Sequence, residues 1–588
     1  MNTIKERWRS FICEGLNVLA KQQDPQSQQF DSHEIIVEVP PRPDFGDLAF
    51  PLFEYARRLR RNPALIAQQL LEVLTHQQLD SQQAGDLEQR GPYLNVRLDR
   101  EQVTEEILGE IETRLADYGH TRVLEGRRIL VEFSCPNTNK PLHLGHLRND
   151  AIGESLAKIL QANGAEVVKV NLINDRGIHI CQSMVAYQKY ADERTPQSEA
   201  VKGDHFVGSY YVMFSSWADQ DPRAHELAHA ALMKWEQEDA ATVRLWKEMN
   251  RWATEGIMQT YRRTGVSFDE VYYESNTYLL GRQLVVQGLE RGIFYREDDG
   301  SVWIDLSEWD LDKKVILRSD GTSLYLTQDI GTAVQRFEDW HFDKMIYVVA
   351  SEQRYHFQVL FQVLTLLGYE WAQKLSHLAY GMVNLPEGKM KSREGTVVDA
   401  DDLLDELEDL AKQEVKEREA TLEDLTATAQ QVVLAAINYY LLQPSPHKDI
   451  VFNSEESISF NGNSGPYLQY SGARITSMIS KFEQRSERYR GGHYSARLLG
   501  LDQEWEIVKL LASFPDRVEA AAEELNPSIV AGYLHELTKA YSRYYQEYPV
   551  LHNEDANLVI SRILLSRCVR QVLMNGFSLI GIPFLEQM

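Results

Sequence analysis

Hydrophobic and polar positions along this chain fall into three regimes. Over residues 1–120 helical spacing prevails until a short alternating stretch, Tyr93–Leu98, that predicts a strand; Glu101–Tyr118 then reads as a connecting helix. From residue 121 to about 400 short apolar runs of strand type alternate with helical runs, the signature of a doubly wound parallel α/β sheet. Its predicted strands are Ile129–Val131, Val167–Ile173, Val302–Leu306 and Lys344–Val349. Between about 190 and 300 the pattern is mostly helical, which predicts an insertion into the sheet. Residues 401–450 form a helical junction whose buried stripe is Leu403, Leu404, Leu407 and Leu410, and 451–588 keep helical periodicity to the end, predicting an α-helical bundle.

The stretch Val131–Arg148, VEFSCPNTNKPLHLGHLR, joins the first strand of that sheet to its first helix. Ile152, Leu156, Ile159 and Leu160 recur at helical spacing until Asn163-Gly164 ends the run. The intervening loop carries Ser134, Asn137, Lys140, His143, Gly145 and His146. A helix N-terminus offers free amides and a positive dipole end, a ready site for an anion. Gly145 has no Cβ and lets a ligand approach the backbone, and the two histidines can donate hydrogen bonds to charge developing on a phosphate. No GxxxxGK[ST] stands anywhere in the chain, so this is a nucleotide site without a P-loop.

Composition narrows the class further. The chain has 588 residues, 43% hydrophobic and 25% charged, an ordinary globular balance with no apolar run long enough for a membrane span. The first residues, MNTIKERWRSFICEG, scatter charge and do not read as a signal peptide. Cys13, Cys135, Cys181 and Cys568 lie far apart, which fits reduced thiols in the cytoplasm and argues against a structural metal. A net charge of −26 excludes a protein that coats nucleic acid nonspecifically and gives no reason to expect DNA, but leaves room for local basic and aromatic patches on a folded RNA.

Other motifs carry less. His225-Glu-Leu-Ala-His229 matches HExxH, yet no third ligand stands out and its helix has an amphipathic, structural pattern. Tyr325 and Asp329, four apart, share a helix face on the run towards Trp340. Gly388–Gly395, GKMKSREG, is a basic loop placed where a phosphate clamp is useful. Tyr467 and Tyr470 follow the loop Asn463-Ser-Gly-Pro466, and aromatic faces beside loops suit base stacking.

HLGH at 143–146 and KMKSREG at 389–395 resemble the HIGH and KMSKS signatures of the class I aminoacyl-tRNA synthetases. The longer words SCPNTNKPLHLGHLRN, LRSDGTSLYLTQDIG, FNGNSGPYLQYSGARI and VLMNGFSLIGIPFLEQM, with PDFGD near the N-terminus, are similar to the arginyl-tRNA synthetase family over essentially the whole chain. The resemblance implies a Rossmann-like catalytic domain at 121–400, a tRNA D-loop-recognition domain at 1–120 and an anticodon-binding bundle at 451–588. It implies ATP-dependent activation of L-arginine and transfer to the 3′ end of tRNA(Arg), with Mg²⁺ travelling on the ATP. Glu132 and Asp329 are then expected to face the guanidinium, with Tyr325 beside it, Asn137 and Gln353 on the α-amino and carboxylate end, and Cys135 where relatives often have serine.

For ATP the resemblance implies His143, Gly145 and His146, with Met390 and Ser392 from the second loop. Aligning KMSKS puts Ser392 at the second lysine, a place that Lys140 is expected to fill, with Lys389, Lys391 and Arg393 as a closing loop. Tyr93 and Asn95, and Tyr467, Tyr470, Tyr545 and Met588, are the implied tRNA contacts. A monomer is expected. The alternative is a noncatalytic tRNA-binding paralogue, against which the intact set Glu132, Lys140, His143, His146, Tyr325 and Asp329 speaks.

Overall fold

The computed structural model describes residues 2–76, 85–319, 325–386, 398–417 and 425–588. An N-terminal α+β unit opens the chain. Strands β1 (Leu48–Pro51), β2 (Gly85–Arg90) and β3 (Tyr93–Leu98) form an antiparallel sheet in the order β1-β3-β2. Helices Asn2–Gln23 and Pro63–His76 pack on each other, and Pro63–His76 also on the sheet. The PDFGD word is a joint: Asp47 accepts from the Leu98 amide (3.0 Å) and from the indole N–H of Trp505 (3.0 Å) in the C-terminal bundle.

The next sheet is the parallel one. Strands β4 (Arg128–Glu132), β5 (Glu166–Ile173) and β6 (Glu270–Tyr273) run outward in one direction. β7 (Tyr295–Arg296), β8 (Val302–Ile304) and β9 (Lys314–Leu317) stand apart. β10 (Lys344–Ala350) returns beside β4, with Glu132 opposite Tyr347, and β11 (Leu375–Tyr380) completes the order β11-β10-β4-β5-β6. Strand order therefore reverses between β4 and β10, and the crevice at their carboxyl ends is where such sheets take ligands.

Two expectations need correction here. The run at 302–306 is not part of the parallel sheet but the middle strand of the antiparallel β7-β8-β9 unit. The connections on either side of it, a tight turn carrying Gly300 at φ +87° and a loop with one 3-10 turn at Ser307–Trp309, are both shorter than the about a dozen or more residues that a parallel crossover needs. Conversely the helical insertion region contributes β6, the fifth strand of the main sheet. Helices Ile178–Tyr190, Gly203–Gln220, Arg223–Glu236 and Ala240–Thr264 fill the β5–β6 connection around a core of Phe206, Tyr210, Phe214 and Trp252.

The HELAH segment lies on Arg223–Glu236, which buries Ala224, Ala228, Leu232 and Trp235 and sets His225 edge-on to Phe214. Among the described residues the one group spaced to hold a cation is Asp204, His205 and Asp401, and the Lys202 ammonium already sits there, 2.9 Å from Asp204 and 2.6 Å from Asp401.

Helices Leu425–Leu442, Gly465–Gln484, Asp502–Glu523, Ser528–Glu547 and Ala556–Leu579 build the C-terminal bundle. The helix Leu144–Ala162 lies against it as well as against the sheet. Arg148, fully buried on that helix, donates to the carbonyls of Gly381 (2.7 Å), Met382 (3.1 Å), Pro446 (3.2 Å) and Lys448 (2.7 Å). Next to this cage β12 (Val383–Asn384) pairs in parallel with β13 (Ile450–Val451). No described helix is long and apolar enough to cross a membrane.

Candidate active site

At the end of β4 the chain turns sharply. Ser134 (φ +72°) and Cys135 (φ +50°) are both left-handed, uncommon for residues that bear side chains. Asn137 then bridges to Asn174 beyond β5, and the chain reaches Lys140 and the N-terminus of Leu144–Ala162. His143 is the N-cap. Its Nδ1 accepts from the Gly145 amide (3.1 Å), while His146 Nδ1 accepts from the His143 amide (3.1 Å), a reciprocal capping box made of two imidazoles.

That box fixes both tautomers. Each ring uses Nδ1 as an acceptor, so each neutral ring carries its proton on Nε2, a donor left for a ligand. Burial pushes the His143 ring down to about 4, with the nearby Lys140 charge adding to it, and His146 falls too, chiefly through burial. The pair is therefore neutral at pH 7. A Cβ at Gly145 would lie 3.0 Å from the His143 ring, which folds back over the helix end, so the glycine also leaves room for that ring.

Lys140 is half-buried, and desolvation lowers its pKa. Among the described residues its ammonium faces no ion-pair partner. A cavity of about 380 Å³ lies in the β4–β10 crevice and is lined by Ser134, Cys135, His143, Gly145, His146, Val349, Glu352 and Asn384 among others. Leu144 N donates to Val398 O (3.1 Å) and Ala400 N to Leu142 O (3.0 Å), so the chain just after the second signature borders the first. Lys389, Met390, Lys391, Ser392 and Arg393 lie outside the described residues.

The two carboxylates expected at the guanidinium are both engaged by the protein's own side chains, an arginine and a histidine. Glu132 is buried and ion-paired with Arg336, which lies on the same helix as Asp329, two turns further on; Arg336 also rests on the Tyr272 ring (4.9 Å). Desolvation raises Glu132 against the pull of that guanidinium. An open, solvent-facing Glu132 is thus not what the fold provides. Asp329, partly exposed, holds His356 Nε2 at 2.6 Å. Tyr325 is 66% exposed at the start of its helix, and Gln353 is exposed in the turn after β10. Asn137 and Cys135 are half-buried at the crevice.

The expected tRNA contacts divide. Tyr93 is half-buried and edge-on to the exposed Phe53 (5.5 Å). Asn95 is a correction: it is buried and donates to Phe45 O (2.9 Å), so it holds the PDFGD turn rather than facing solvent. In the bundle Arg474 lies over the rings of Tyr470 (5.7 Å) and Tyr545 (5.2 Å), Tyr467 leans on His535, and Met588 packs against the core. Sequence reasoning did not find Arg336, His356 or Arg474. Helical spacing offered a signal for the first, seven residues after Asp329, and for the last, four after Tyr470.

A parallel sheet with its ligand crevice at the strand reversal, an imidazole-capped helix feeding that crevice, and a helical bundle behind it define a class I aminoacyl-tRNA synthetase. The sequence profile described as tRNA synthetases class I (R), catalytic domain, matches residues 110–454. Those of the DALR anticodon binding domain and the arginyl tRNA synthetase N terminal domain match 468–588 and 14–98. Arginine–tRNA ligase of Treponema denticola is 50% identical over 594 residues, covering 100% of both chains, and that of Treponema pallidum is 51% identical over 593, again covering 100% of both. Among solved structures, arginyl-tRNA synthetase of Thermus thermophilus superposes with a TM-score of 0.77 at 26% identity, covering 99% of this chain and 100% of its own. The chain belongs to the arginyl-tRNA synthetase family.

Proposed function

We propose that this chain activates L-arginine with ATP and transfers the arginyl group to the 3′ end of tRNA(Arg). One observation carries the reading: two neutral imidazoles whose Nδ1 atoms are engaged in the cap line the crevice of a class I fold, with the Lys140 charge close enough to act on His143. In the first step a carboxylate oxygen of arginine attacks the α-phosphorus of ATP and pyrophosphate leaves. Charge then spreads over phosphate oxygens, and fixed donors that need no reorganisation stabilise it most. His143 and His146 supply those donors at the helix N-terminus, where the dipole adds to them. Lys140 is the main cation on the phosphates, and Lys389, Lys391 and Arg393 close over them with Met390 and Ser392 at the nucleotide.

MgATP is the substrate form. The metal rides on the phosphates, since Mg²⁺ keeps several waters and binds through substrate phosphates rather than an all-protein cage. Asp329 takes the guanidinium, with Tyr325 alongside; Glu132 acts through Arg336, and Cys135, Asn137 and Gln353 serve the other end of arginine. Residues 1–120 meet the outer corner of the tRNA, using Tyr93, and 451–588 meet the anticodon region with Tyr467, Tyr470, Tyr545 and Met588. The chain works as a cytoplasmic monomer.

The test is arginine-dependent ATP–pyrophosphate exchange, with and without tRNA carrying an arginine anticodon. Exchange with arginine is expected. Its absence in both conditions, from folded protein that still binds the tRNA, would establish the noncatalytic paralogue instead.

A further inference from the structure

The left-handed pair Ser134-Cys135 is not left to hold itself. Asn149 Oδ1, from the helix that His143 caps, accepts from the Ser134 amide at 2.6 Å. Asn171 Oδ1, from β5, accepts from the Cys135 amide at 3.1 Å. Each asparagine is anchored in turn: Asn149 Nδ2 donates to Val348 O (2.9 Å) and Tyr380 OH (3.1 Å), and Asn171 Nδ2 donates to Tyr261 OH (3.1 Å). Tyr261, on the long insertion helix, shares a hydrogen bond of 2.6 Å with Ser134 Oγ. Both asparagines, Tyr261 and Ser134 are buried, so no water substitutes for these partners without a cavity to hold it.

The pair stands between the end of β4 and Asn137, so its angle sets how Cys135 and Asn137 are presented to the crevice. Side-chain-bearing residues relax out of a left-handed backbone unless their surroundings over-determine it. Here two amides in succession are held from two different elements, and a third element, carrying Tyr261, locks the network. We infer that Asn149, Asn171 and Tyr261 are positioning residues for the arginine pocket, holding the Ser134-Cys135 turn in its left-handed form. The inference rests on the reading of this crevice as the arginine and ATP site. It also makes the insertion a structural part of that site, since Tyr261 reaches the turn from the helix Ala240–Thr264.

The experiment measures the KM for arginine and for ATP in pyrophosphate exchange with the full chain and tRNA, for the parent, Tyr261→Phe, Asn149→Ala and Asn171→Ala. The arginine KM is expected to rise about five- to tenfold, the scale of one well-placed hydrogen bond, while the ATP KM stays within about twofold. Ser134→Gly added to Asn149→Ala is expected to bring the arginine KM back towards the parent value, because glycine holds a left-handed backbone unaided. Both KM values rising together, an arginine KM unmoved in all three variants, or no recovery with glycine each overturns the inference. If the alanine variants do not fold, Tyr261→Phe, which removes one oxygen, decides by the same readout. A parent chain without arginine-dependent exchange defeats the site reading itself; parental exchange with unmoved variants defeats only the clamp.

Discussion

In the proposed function substrate arginine is taken by Asp329, and His356 already sits on that carboxylate. The imidazole Nε2 lies 2.6 Å from Asp329 Oδ2, with the two side chains 26% and 29% exposed. Burial alone would lower the His356 pKa, but the hydrogen bond and charge of Asp329 outweigh it and raise it. The pair therefore contributes fully below about pH 6.5 and fades as pH rises through the raised value, when the ring loses its proton. A protonated His356 competes with the guanidinium for the same carboxylate. Two unit charges about 4 Å apart at an effective dielectric of about 20 interact by about 4 kcal/mol, and partial exposure with desolvation reduces this to a net of about 1–2 kcal/mol. The KM for arginine should then fall about five- to thirtyfold between about pH 6 and pH 8.5, at about tenfold per 1.4 kcal/mol. His356→Gln, which can still donate a hydrogen bond but never carries charge, should remove most of that slope and lower the KM at acidic pH. The assay is arginine KM in pyrophosphate exchange across the pH range, parent against variant. Equal slopes in the two proteins would refute the competition.

Three further outcomes are expected. Lys140→Ala should slow adenylate formation in a rapid-quench measurement by about a hundredfold or more, the scale of losing a preorganised charge at a developing phosphate charge, and a change of only a few-fold would return that role to the second loop. Histidine ¹⁵N spectra at pH 6 should show His143 as the neutral Nε2–H tautomer. Because its pKa is depressed to about 4, the unfolded chain binds a proton that the folded chain refuses, so stability is lost as pH falls from about 6.5 towards 4; a charged ring at pH 6 would contradict this. Tyr467→Ala with Tyr470→Ala should reduce kcat/KM for tRNA charging about tenfold or more, at about 1–3 kcal/mol per stacked base, and equal charging efficiency would remove the stacking platform.

What the sequence disclosed and what it hid divide along physical lines. The strand–loop–helix around HxGH was legible because its signals are local: an apolar run, a cap, a helical period and a stop at Asn163-Gly164. The helix Tyr325–Trp340 was legible for the same reason, through the spacing of its apolar face. The run at 302–306 misled, since five apolar-rich residues look alike in a parallel sheet and in an antiparallel meander; only connection length separates them. Asn95 was read as a contact from the family resemblance alone, and its hydrogen-bond partner, Phe45 O, lies fifty residues away, beyond any local pattern. Arg336 on Glu132 and His356 on Asp329 are pairings across the fold: helical spacing sets Arg336 on the face of Asp329, but no local pattern names either partner.

The four-carbonyl cage of Arg148 bears on how the molecule comes apart. One guanidinium, fully buried, fastens the helix behind the histidine pair to the strand leaving the sheet at Gly381-Met382 and to the junction at Pro446–Lys448. Parting these segments breaks several charge-assisted hydrogen bonds at once, and a partial opening that leaves the guanidinium buried without them is costly. Heat or denaturant should therefore melt the catalytic sheet and the C-terminal helices as one cooperative block. Loss of adenylate synthesis and loss of helix signal should then share one transition, with the crevice and the tRNA-reading end failing together.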